Sequence, residues 1–126
     1  MPRLRDFQPI QIVAAHTMET GDDFVIGVNE VYRRRRDVLV EDLGTSGWKI
    51  EKPQGTMFVW AELPGPYVEM GSLDFSIKLL EEAGVAVSPG IGFGVSGEGN
   101  VRFALVEDED RIAGAVERMG SALDRL

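Results

Sequence analysis

The chain contains no cysteine, which excludes disulfides, thiolate metal sites and a thiol nucleophile. With a single histidine, His16, it cannot assemble a polyhistidine metal site. No apolar run approaches the length needed to cross a bilayer. The start, Met1-Pro2-Arg3-Leu4-Arg5-Asp6, has basic residues but no apolar stretch behind them to serve as a signal-peptide core. A cytoplasmic protein without a membrane partner is the expectation. Positive charge is also scarce: 13 Lys and Arg stand against 21 Asp and Glu, a net charge of -8. Nucleic acid and anionic membrane surfaces would repel such a chain as a whole, so neither is expected as a partner.

What is present suffices for one core. At 126 residues and 44% hydrophobic content, one domain is expected rather than two. Ile10, Val13, Ala14 and Met18 recur at helical spacing after Pro9, predicting a helix over 8–20 that Gly21 ends. Asp22 and Asp23 open a longer helix to about Leu43, with Phe24, Val28, Val31, Val38, Leu39 and Leu43 tracing a stripe. Trp48–Glu51 and Met57–Leu63 read as two strands of a hairpin around Lys52-Pro53-Gln54-Gly55. Ser72 is placed to cap a helix carrying Leu73, Ile77 and Leu80 to Gly84, and Val85–Ser88 reads as a short buried strand. Asp108 is placed to cap a last helix whose Ile112, Val116, Met119 and Leu123 repeat at spacings of four, three and four. The order α-α-β-β-α-β-β-α predicts an α+β fold: a small, mostly antiparallel sheet with helices packed on one face and the other face free.

Between the last two strands lies Pro89-Gly90-Ile91-Gly92-Phe93-Gly94, followed by the strand-like run Asn100-Val101-Arg102-Phe103-Ala104-Leu105-Val106. With period two, Val101, Phe103 and Leu105 share one face, and Arg102, Ala104 and Val106 the other. A guanidinium beside small apolar neighbours wants an anion, and its planar fork matches a carboxylate bidentately. The competing reading pairs Arg102 with Glu98 or Glu62. Gly92-Phe93-Gly94-Val95-Ser96-Gly97 satisfies G-x-G-x-x-G, but a dinucleotide site needs its third glycine to open a helix, and here a strand follows. The glycines suit close backbone approach instead.

Other features read as structural. Arg33-Arg34-Arg35-Arg36 covers a full helical turn, with Glu30, Asp37 and Glu41 at pairing distance, and suits a solvated, salt-bridged helix face. Trp48, Trp60, Phe58 and Phe103 are assigned to the sheet core. His16, with Glu19 three residues on, reads as a helix-end histidine. Glu81-Glu82 is assigned to solvent, and Glu107-Asp108-Glu109-Asp110 suits a helix start.

Five segments together carry a resemblance: Phe7-Gln8-Pro9-Ile10-Gln11-Ile12, Tyr32-Arg33-Arg34-Arg35-Arg36-Asp37, Gly55-Thr56-Met57-Phe58-Val59-Trp60-Ala61, Gly84-Val85-Ala86-Val87-Ser88-Pro89-Gly90 and Val101-Arg102-Phe103-Ala104-Leu105-Val106. In this order they resemble the C-terminal part of class I/II aminotransferases, nearest the alanine, or glutamate–pyruvate, branch. The resemblance implies the small domain of a fold-type I pyridoxal-phosphate enzyme over residues 7–126, with residues 1–6 a tail left by an expression junction. It further implies that Arg102 holds the α-carboxylate of an amino-acid or 2-oxo-acid substrate, and that Gly55, Pro89 and Gly90 border the substrate cavity. The implied partners are a large pyridoxal-phosphate-binding domain of the same parent chain and a second copy in a homodimer.

The family's Schiff-base lysine, in a Ser-x-x-Lys context, has no counterpart, because Lys49, Lys52 and Lys78 all lie in other motifs. Also missing are the aspartate that pairs with the pyridinium nitrogen, the stacking aromatic and the phosphate cup, which the family places in the large domain. The piece alone is therefore expected to be inactive and cofactor-free. The alternative is a free-standing, non-catalytic α+β module that binds a small carboxylate or a protein partner.

Overall fold

The computed structural model describes residues 7–123. The chain divides into two compact units, Met1–Val31 and Tyr32–Leu126; residues 1–6, expected to be a junction tail, lie outside the described residues.

The first unit holds helix α1 (Gln8–Thr20) and the beginning of α2 (Asp22–Thr45). Pro9 lies in the first turn of α1, where its missing N–H costs nothing, and the Gly21 N–H closes the end on the Thr17 carbonyl. The expected stripe is present in sequence but not buried: α1 has no buried residue, and Ile10, Val13, Met18 and Phe24 are all exposed. Apolar spacing defines a helix face without stating what covers it.

In the second unit, α2 contributes Leu39 and Leu43 to a core completed by a three-stranded antiparallel sheet in the order β1-β3-β2 and by two further helices. β1 is Phe58–Glu62, β2 Ser88–Pro89 and β3 Asn100–Ala104. β3 is central; Phe58 faces Ala104, Trp60 faces Arg102, and on the other side Ser88 faces Arg102. Pro89 is tolerated because β2 is an edge strand. The alternation read from sequence holds: Val59, Ala61, Val101, Phe103 and Leu105 are buried against the helices, and Arg102 and Ala104 lie on the opposite face.

α3 (Ser72–Lys78) runs into a wide π turn, Leu79–Ala83, which Gly84 closes in the left-handed conformation at φ 63°. Phe75 and Leu79 from this run are fully buried. α4 (Glu109–Ala122) begins where Asp108 accepts a hydrogen bond from the Arg111 N–H at 2.9 Å, as expected of a cap. Ile112, Val116, Met119 and Leu123 are buried, as their spacing predicts. Each such side chain contributes roughly 1.5–3 kcal/mol by leaving water.

Three expectations need correction. Trp48–Glu51 is not a strand, so there is no hairpin: Gly47, at φ 99°, turns the chain out of α2 and Trp48 drops into the core. Its indole N–H donates to the Glu62 carbonyl at 2.8 Å, so a side chain rather than a ladder anchors the segment. Of the predicted strand Val85–Ser88 only Ser88 pairs with β3, followed by Pro89 just beyond it, and Val85 and Val87 are merely half-buried. The N-cap of α3 is Gly71, and Ser72 lends no side-chain cap; a carboxylate from far along the chain takes that place.

The arginine run is salt-bridged as expected, but only Arg33 and Arg34 are exposed, while Arg35 and Arg36 are half-buried. Arg34 pairs with Glu109 at 2.9 Å, Arg35 donates to the Leu105 carbonyl at 3.0 Å and Arg36 to the Pro53 carbonyl at 3.1 Å. These side chains pin α2 to three distant segments. Arg36 also pairs with the adjacent Asp37 at 2.7 Å.

Candidate carboxylate site on the open face of the sheet

Arg102 stands in the middle of the central strand, on the face that the helices leave uncovered. Its guanidinium carbon lies 4.0 Å from the centroid of the Phe58 ring and 4.3 Å from that of Phe93. Both distances are well inside cation–π range. Trp60, the cross-strand neighbour of Arg102, meets Phe93 edge to face at 5.3 Å and 71°. A depression of about 370 Å³ lined by Trp60, Phe93, Ser96, Gly97 and Asn100 opens at this cluster. A cleft of about 360 Å³ elsewhere is lined by core-face residues such as Phe103, Leu105 and Met119, and not by Arg102.

The guanidinium forms no ion pair among the described residues, and its buried Nε has no hydrogen-bond partner. Pairing with Glu98 is overturned by what Glu98 does instead. Its carboxylate accepts from the Ser72 N–H at 2.6 Å, the Gly99 N–H at 3.0 Å and the Ser72 hydroxyl at 3.1 Å. The Ser72 N–H, then that of Gly99, holds Glu98 below the usual carboxylate range. Glu62 likewise makes no ion pair with Arg102; it lies opposite Asn100 in the β1–β3 register. A buried N–H left unanswered costs free energy that an added acceptor would offset.

The glycine loop is two 3₁₀ turns, Gly90–Phe93 and Val95–Gly97, leading into β3, which confirms that no helix follows G-x-G-x-x-G. Gly90 is buried, and a Cβ there would strike the Gly97 carbonyl and come within 2.6 Å of the Asn100 carbonyl oxygen; a Cβ on Gly97 would strike the Gly90 carbonyl. Two backbones touch where only glycine fits. Pro89 pairs with Val101, one residue from Arg102. Gly55 lies in an exposed bend before β1 with open space around it, and Thr56 follows at φ 71°, a costly conformation for a β-branched residue.

Two of the four aromatics assigned to the core belong here instead. Trp48 and Phe103 are buried and meet at 5.6 Å, whereas Trp60 is 44% exposed and Phe58 stacks on Arg102. The signal was available in sequence: Phe58 and Trp60 share their period-two register with Glu62, and the alternate register is Val59, Ala61 and Leu63.

Comparison with known proteins identifies the family. The family model for aminotransferase class I and II matches residues 7–119. The chain belongs to that family. It is 52% identical to the glutamate–pyruvate aminotransferase AlaC of Escherichia coli over 110 residues, covering 87% of this chain and 27% of that protein. It is 45% identical to the putative aminotransferase AatC of Rhizobium meliloti, covering 90% and 28%. Among solved structures, a tetra mutant of Thermus thermophilus aspartate aminotransferase superposes with a TM-score of 0.74 at 36% identity, covering 85% of this chain and 28% of that one. Substrate-bound BacF from Bacillus subtilis gives 0.75 at 35% identity, covering 79% and 25%. The chain thus spans between a quarter and a third of the length of these relatives.

The family implies pyridoxal phosphate, and the described residues do not fit a site that would hold it covalently. Lys52 is engaged by Asp37 at 2.7 Å, and Lys78 by Glu82 at 2.6 Å beneath the Tyr67 ring. Lys49 is exposed in the irregular segment before β1. Lys49 lines a depression with Trp60, Glu62 and Asn100 at the edge of the ring cluster, whereas Lys52 and Lys78 are held elsewhere. The described residues do not form a cofactor cradle.

Proposed function

We propose that the chain is the carboxylate-holding, C-terminal part of a pyridoxal-phosphate-dependent aminotransferase that moves an amino group between an amino acid and a 2-oxo acid. One observation carries the reading: the Arg102 guanidinium lies 4.0 and 4.3 Å from the Phe58 and Phe93 ring centroids, and no carboxylate among the described residues answers it. A carboxylate is the planar acceptor that matches the guanidinium fork bidentately. Holding that end of the substrate fixes where its α-carbon lies. Pyridoxal phosphate, bound by the rest of the full-length enzyme, supplies the electron sink. Gly55, Pro89 and Gly90 shape the cavity wall, and the large domain and a second copy of the parent complete the site.

In the full-length enzyme, Arg102→Ala is expected to lower kcat/KM for α-amino acids by roughly 30-fold to several thousand-fold while the cofactor absorbance stays. Near-normal kinetics in that variant would overturn the assignment. The isolated 126-residue chain is expected to show neither cofactor–lysine absorbance nor transamination.

A further inference from the structure

We infer that Phe93 is a positioning residue: it sets the plane of the Arg102 guanidinium, and the loop that carries it is built to hold its ring there. The inference rests on Arg102 being the carboxylate holder, and it adds what orients that holder.

An arginine side chain is long and its rotamers are many, so a guanidinium on an open sheet face without a protein acceptor keeps no fixed direction unless something flanks it. Phe58 flanks it from β1 and Phe93 from the loop. The Phe93 ring is 51% exposed, so core packing does not account for its position. Its ring contacts among the described residues are the guanidinium and the edge of Trp60.

The loop under Phe93 is tied at several points. The Ile91 N–H donates to the Ser72 hydroxyl at 3.1 Å, and that hydroxyl donates to Glu98 at 3.1 Å. Ser72 at the centre of the tie is fully buried, and Ile91 and Glu98 at its ends are exposed. Within the loop, Gly94 N–H meets the Ile91 carbonyl at 3.0 Å and Gly97 N–H the Gly94 carbonyl at 2.9 Å. The backbone contact of Gly90 with Gly97 closes its base. Ser72, Ile91 and Glu98 thus connect the start of α3, the loop and the start of β3, and Phe93 is what this assembly presents to Arg102.

The test compares Phe93→Leu, Phe93→Tyr and Arg102→Ala in the full-length enzyme, together with NMR of the 126-residue chain. Phe93→Leu is expected to raise KM for the amino acid about tenfold with kcat changed far less, and Phe93→Tyr, which keeps the ring face, to restore it. In the NMR spectrum, the Arg102 side-chain protons are expected upfield, shifted by the two rings, and to move downfield in Phe93→Leu. Unchanged KM and unchanged Arg102 shifts in Phe93→Leu, alongside a severe Arg102→Ala defect, would overturn the positioning role and leave the carboxylate reading standing. A harmless Arg102→Ala would overturn both.

Discussion

The two faces of one small sheet follow different rules. On the inner face, Val59, Ala61, Val101 and Phe103 are at most 6% exposed and meet α3, α4 and Trp48 as close-packed apolar surface. On the outer face, one strand position over, Phe58 and Arg102 gather with Phe93 from the loop, both rings lying within 4.3 Å of the cation, and Trp60 beside them stays 44% exposed. The inner face is explained by burial. The outer face, by the same measure, is a poor arrangement: aromatic surface in water and a buried donor left unanswered. On the proposed reading, a bound carboxylate would offset that cost.

That contrast breaks or sharpens under mutation. On the inner side, Phe75→Ala removes a fully buried ring that meets Trp48 and Tyr67, and is expected to destabilise the chain by about 3–5 kcal/mol in a denaturant titration. Trp60→Ala on the outer face is expected to cost about 1 kcal/mol or less. Equal losses would erase the distinction between the faces. Gly90→Ala is expected to cost about 1–3 kcal/mol, because the new methyl meets backbone that has no room to yield. The same titration checks it, and a neutral result would show that the Gly90–Gly97 contact does not lock the loop.

The smallest effect is electrostatic. Glu98 is held below its usual range, so its contribution to loop order is fully present above the ordinary glutamate value near 4.5 and fades as pH falls through the lower folded value. Amide signals of Ile91 and Ser72 are expected to shift over that acid range in the native chain and to lack that step in Glu98→Gln. A step of the same size in the variant would assign it to another carboxylate.

Much of the inner face was legible in the sequence because it obeys one rule. The alternation of β3 and the four-three-four spacing of α4 each report a burial pattern that the structure keeps. Arg102 stood out for the same reason, as a charge in a strand of otherwise apolar neighbours. What escaped depends on partners distant in the chain. Trp48 was read as a strand residue because nothing local announces that its indole finds the Glu62 carbonyl. The reach of Arg34 to Glu109 spans 75 residues, and Glu98 stands in for the missing cap of α3 from 26 residues away. Phe58 and Trp60 were placed in the core because aromatic residues usually go there, although their register with Glu62 pointed outward. The exposed stripe of α1 teaches the same limit: periodicity reports a face, not its partner.

The central claim is that Arg102 answers a carboxylate, and a four-corner cycle in the full-length enzyme tests it most directly. The kcat/KM of the native enzyme and of Arg102→Ala would each be measured with an amino acid and with the amine that lacks its carboxyl group. The account predicts that losing the carboxylate costs the native enzyme about 100-fold or more and Arg102→Ala far less, so that the two deletions are strongly non-additive. Equal dependence on the carboxylate in both proteins would contradict it.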